Sequence, residues 1–96
     1  MTVKHIKNQN ELNKALNSKK SVVVFGSDFC IYCMQMKEVL TEMDNLYADT
    51  QFYFVKIDDF NPYNLQSIPL TIVIRDKKEV ARIEGANLDK IIQNLK

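Results

Sequence analysis

The stretch Val22-Val23-Val24-Phe25-Gly26-Ser27-Asp28-Phe29-Cys30-Ile31-Tyr32-Cys33 decides the reading of this chain. Its first four residues are an unbroken β-branched and aromatic run, the pattern of a central strand covered on both faces. Gly26-Ser27-Asp28 interrupts it. Beyond the interruption, Met36, Val39, Leu40, Met43, Leu46 and Tyr47 recur at helical spacing, one stripe of a long amphipathic helix from Cys30 to about Ala48. Cys30 and Cys33 therefore sit where a buried strand ends and a long helix begins.

Outward from that unit the pattern alternates. Val3 to Ile6 reads as a short edge strand. Asn8, with Glu11 three residues on, starts a helix whose apolar face is Leu12, Ala15 and Leu16. Gln51 to Asp58 reads as the third strand, and Asp59 to Ser67, which holds Asn61-Pro62, as a loop with room for one helical turn. Leu70–Ile74 and Glu79–Ile83 flank Asp76-Lys77-Lys78 and read as a β-hairpin without the favoured Asn-Gly turn. Asn87 caps a last helix with Leu88, Ile91, Ile92 and Leu95 on one face. The order βαβαβ then ββα predicts an α/β fold: a central mixed sheet of about five strands flanked by helices, as a single domain over residues 1–96.

Composition narrows the chemistry. With 96 residues, 46% of them apolar and 26% charged, the chain has no space for a separate nucleotide or flavin domain, so electrons must come from outside. A net charge of +1 gives no reason to expect a nucleic-acid partner. No apolar run reaches membrane-spanning or signal-peptide length, so the expected location is the cytoplasm, with no membrane partner. Gly26 and Gly85 lie too far apart for a Gly-rich phosphate loop. Tetrahedral zinc needs four ligands, and two cysteines with the distant His5 do not supply them. An iron–sulfur cluster shared across a dimer is the metal alternative; the reading made here is no metal, no cofactor and a monomer.

A structural disulfide closing a two-residue loop has almost no chain entropy to remove, and the cytosol disfavours it. Cys-x-x-Cys opening a helix after a βαβ strand instead reads as a redox pair. The first N–H groups of a helix lack intrahelical partners, and the macrodipole adds about half a positive charge. A thiolate placed there is stabilised by both. Cys30, at the tip, is expected to attack a substrate disulfide. Cys33, one turn in, then displaces the captured sulfur, leaving a Cys30–Cys33 disulfide for an external reductant.

These residues resemble the thioredoxin family. The resemblance covers essentially the whole chain: the strand, loop, Cys-x-x-Cys and helix, then Ser67-Ile68-Pro69 before the hairpin, then Gly85-Ala86 before the last helix. It implies that Pro69 is cis and faces the cysteines, and that the backbone of Ile68 pairs with a substrate strand. Phe29, Ile31 and Tyr32 become the substrate-side surface. The implied activity is reduction of protein disulfides, with a flavoprotein thioredoxin reductase as electron source.

Some positions depart from the family pattern. The buried acid found six residues before the first cysteine is replaced by Val24, which removes the usual proton acceptor of the resolving thiol. Tyr32 before Cys33 is similar to glutaredoxins, but their glutathione-binding lysine falls on Ser27, and Gly85-Ala86-Asn87-Leu88-Asp89 is closer to a thioredoxin ending. A glutathione-dependent, glutaredoxin-like reductase is the alternative enzyme. A binding or redox-sensing module with an idle dithiol is the alternative outside enzymes. Asp28 and Lys56 are the charges to test for tuning Cys30, although the sequence gives no contact for either, and the Asp58-Asp59 pair reads as loop structure.

Overall fold

The computed structural model describes residues 3–96. Its elements are β1 (Lys4–Ile6), α1 (Gln9–Leu16), β2 (Lys20–Gly26), α2 (Ile31–Leu46), β3 (Gln51–Lys56), β4 (Leu70–Arg75), β5 (Lys78–Glu84) and α3 (Leu88–Leu95). The sheet order is β1-β3-β2-β4-β5. β3 runs parallel to both β1 and β2, while β4 is antiparallel to β2 and to β5. This is the mixed five-stranded α/β sheet expected from the sequence. Residues 59–67 form turns rather than a helix, and the Asn61 side chain closes one of them by bonding both the N–H and the carbonyl of Leu65.

The run at β2 is apolar throughout because both of its faces are covered. Val22 and Val24 point into a cluster with Met36, Leu40 and Met43 of α2 and Ile91 and Leu95 of α3. Val23 and Phe25 point the other way, into a cluster with Leu12 and Ala15 of α1 and Val55, Ile72 and Ile74 of the sheet. Full burial of each such side chain is worth about 1.5–3 kcal/mol. β2 is thereby a rigid rail whose C-terminal end delivers the loop that carries the cysteines.

Local chemistry starts each helix. Asn8 accepts the N–H of Glu11 at 2.9 Å, and the Glu11 carboxylate reaches back to the N–H of Lys7 at 2.7 Å. Asn87 accepts the N–H of Lys90 in the same way at α3. The hairpin between β4 and β5 turns at Asp76 and Lys77, both with positive φ (53° and 68°), the backbone of a primed turn. Carbonyls of Lys19 and Ser18 accept the N–H groups of these two residues, a support outside the hairpin that stands in for Asn-Gly. A register shift between Val73 and Ile74 leaves Val80 of β5 exposed.

Candidate active site

At the start of α2 a cysteine occupies the place usually held by Ser, Asp or Asn. Cys30 has extended backbone (φ −108°, ψ 114°), and its Sγ accepts the N–H of Cys33 at 3.2 Å. The sulfur is thus the cap of the helix, where an anion is favoured by the free N–H groups and by the dipole. Cys30 is partly exposed, and both cysteines are free thiols.

Cys33 stands in different surroundings. It is 0% exposed and packs in the cluster with Val24, Met36 and Phe54. Burial pushes its thiol up to about 12, and the hydrogen bond to the Cys30 sulfur adds to the rise. Hydrogen bonding from the Ser27 backbone opposes it. Val24 and Phe54 face each other across β2 and β3, so hydrocarbon fills the place of a buried acid.

Gly26 makes this packing possible. A Cβ there would lie 2.8 Å from Cys33 Cβ, 2.9 Å from Cys33 Sγ and 3.0 Å from the tip of the Phe54 ring. Strand β2 ends in glycine because the Cys33 side chain fills the space beside it. On the sequence Gly26 and Ser27 read only as a strand break, and their part in the site depends on register across the sheet. A glycine at that place carries no sequence signal beyond the break itself.

The residues expected on the substrate side divide into two groups. Phe29 (93% exposed), Ile31 (69%) and Tyr32 (61%) stand out around Cys30 at the helix tip. Ile68 and Pro69 lie on the loop before β4, and the Ile68-Pro69 peptide is cis. Ile68 packs against the same cluster as Cys30, while Pro69 is buried. Asp28 pairs with Lys56 at 3.0 Å beside the site, and the lysine holds the Asp28 carboxyl below its usual range. Asp58 accepts the hydroxyl of Ser27 at 2.6 Å, a role its reading as plain loop structure did not include. His5 lies on β1, tilted against Phe54, and burial with the nearby Lys37 lowers its pKa. Among the described residues no group of three or more His, Cys, Asp or Glu side chains is placed to hold a metal, and no helix is long and apolar enough to cross a membrane.

A free sulfur capping a helix, a second thiol buried one turn on, and a cis-proline loop, all on a mixed sheet with helices on both faces, define a thioredoxin-fold dithiol protein. Residues 8–95 match the family model of the thioredoxin-like domain, and the chain belongs to that family. It is 28% identical over 85 residues to a thioredoxin-like protein of rice, Oryza sativa subsp. japonica, a match covering 83% of this chain and 64% of that protein. It is 29% identical over 91 residues to thioredoxin-2 of Saccharomyces cerevisiae, covering 88% of each. The chain therefore spans less than two thirds of the rice protein's length but most of the yeast protein's. The crystal structure of oxidised thioredoxin O1 from Arabidopsis thaliana has the same fold: TM-score 0.86, 22% identity, 99% of this chain and 96% of that one covered.

Proposed function

We propose that this chain is a thiol–disulfide oxidoreductase that reduces protein disulfides through Cys30 and Cys33. The observation that carries the reading is the pairing of a partly exposed sulfur bonded to a helix N–H with a buried thiol three residues later. Cys30 sulfur, as thiolate, attacks a substrate disulfide; the substrate S–S bond breaks, one thiolate leaves and a Cys30–substrate disulfide forms. Cys33 then loses its proton and attacks the Cys30 sulfur. The second substrate thiolate departs, the substrate has gained two electrons, and the Cys30–Cys33 pair has lost them.

Phe29, Ile31 and Tyr32 give the substrate an apolar landing around the reactive sulfur. The backbone of Ile68 makes no hydrogen bond to another described residue, which leaves it open to a substrate strand. The chain acts as one domain and as a monomer in the cytoplasm, with a flavoprotein thioredoxin reductase restoring the dithiol. The test is reduction of insulin disulfides with dithiothreitol as electron source. The wild-type chain should accelerate it and Cys30→Ser should not; equal rates with and without protein would overturn the proposal. Tyr32 favours a second reading, a glutathione-dependent reductase, but Ser27 supplies no cation for a glutathione carboxylate. Turnover with glutathione alone would establish that reading instead.

A further inference from the structure

Ser27 is only 6% exposed, and every polar group it carries is engaged. Its hydroxyl donates to Asp58 Oδ2 at 2.6 Å and accepts the N–H of Phe29 at 3.2 Å. Its carbonyl accepts the N–H of Cys30 at 3.2 Å, and the Cys33 sulfur lies against the 26–27 backbone, 2.9 Å from where a Gly26 Cβ would stand, with the Ser27 backbone opposing the rise of the Cys33 thiol. Just before it, the Gly26 carbonyl accepts the N–H of Ile57 at 2.9 Å. One serine thus connects both cysteines, the residue before the first of them, and the chain leaving β3.

We infer that the Ser27–Asp58 hydrogen bond is a positioning device for the resolving step: it holds the 26–27 peptide so that its N–H meets the Cys33 sulfur as that sulfur becomes an anion. Hydrocarbon from Val24 and Phe54 surrounds Cys33 on the sheet side, so a fixed backbone dipole takes over part of the work of a buried charge. The first attack, by Cys30, draws on the helix N-terminus and does not depend on this bond. Asp58 is exposed and acts through Ser27, as an oxygen acceptor whose charge is not required. The inference rests on the dithiol mechanism proposed above.

The probe is 5,5′-dithiobis(2-nitrobenzoate), which releases one coloured thiolate when Cys30 attacks and a second when Cys33 resolves the mixed disulfide. Loss of the first release in the wild-type chain would defeat the dithiol mechanism itself; the two phases keep that failure separate. Ser27→Ala and Asp58→Ala should slow the second release about tenfold, and Asp58→Ala should leave the first within about twofold. Ser27→Thr and Asp58→Asn keep a hydroxyl and an acceptor oxygen, and should recover most of the second rate. A second release unaltered in Asp58→Ala would overturn the inference, and this exposed position permits the test even where Ser27→Ala fails to fold. A rate in Asp58→Asn as low as in Asp58→Ala would also overturn it, by showing that the charge itself is needed.

Discussion

Cys30 and Cys33 are separated by a single helical turn and touch one apolar cluster, yet one stands at its partly exposed edge and the other inside it. Around Cys30 are helix N–H groups, solvent and three exposed apolar side chains; around Cys33 are Val24, Phe54, Met36 and the bare backbone of Gly26. The first offers a hydrogen bond and solvent, and the second penalises an anion, pushing the Cys33 thiol to about 12. The order of the two chemical steps follows from that difference. In the proposed mechanism the partly exposed sulfur at the helix start begins the exchange, and a sulfur that stays protonated until a target is within reach completes it.

Exchanging sulfur for oxygen at each position in turn gives the largest effects. Cys30→Ser should lower disulfide reduction by roughly a thousandfold or more, because a serine hydroxyl is a far weaker nucleophile than a thiolate. Cys33→Ser should keep the first attack and accumulate a mixed disulfide, seen by mass spectrometry as the protein plus one substrate thiol. Finding the adduct on the second position, in a Cys30→Ser chain at the wild-type rate, would reverse the assigned roles.

Proton supply sets the next effect. With Cys33 raised to about 12, the resolving thiolate fraction should grow about tenfold per pH unit below that value, hence about a hundredfold in resolution rate between pH 7 and 9. A second phase that is flat above pH 8 would show that another group takes the proton. Stability should move the opposite way. The folded value lies above the ordinary 9.0, so the contribution of protonated Cys33 is complete below pH 9 and is lost as pH climbs through about 12. Tyr53, also raised by burial, acts in the same direction. The part due to Cys33 is therefore the difference between wild type and Cys33→Ala in denaturant midpoints at pH 8 and pH 11.

The buried wall of this pair was the less legible part of the molecule. The β2 run, the helix stripe and the Cys-x-x-Cys between them are local patterns, and the sheet and its elements followed from them. The last parallel strand ends two residues before its apolar pattern predicts: β3 stops at Lys56, and Asp58 turns back to meet Ser27. That contact joins positions 31 residues apart and has no local signature. Gly26 is a similar case. A glycine at a strand end reads as punctuation, and only the packing of α2 over β2 shows that Cys33 occupies its missing side chain. Gly26→Ala should accordingly cost about 1–3 kcal/mol, since the neighbour that must yield is a Cβ close to the backbone as well as a sulfur. Urea denaturation would measure it, and a resolving rate unchanged in a folded Gly26→Ala chain would show that the sulfur tolerates displacement.

The smallest effect belongs to the exposed side of the comparison. Phe29 is 93% exposed, so Phe29→Ser removes little packing and should leave the unfolding midpoint nearly unchanged. Its expected contribution is to substrate docking. An apolar ring covered on docking is worth about 1–2 kcal/mol, which corresponds to an increase in KM of about five- to thirtyfold for a protein disulfide. The small aromatic disulfide of the two-phase assay needs little docking surface, so its first release should change by no more than about twofold. Tyr32→Ser, at a less exposed ring beside Cys33, should follow the same pattern with a smaller rise. An equal loss toward both substrates would place Phe29 in the attack itself, as a cover for the Cys30 sulfur, and the exposed crown would then belong to the chemistry rather than to recognition.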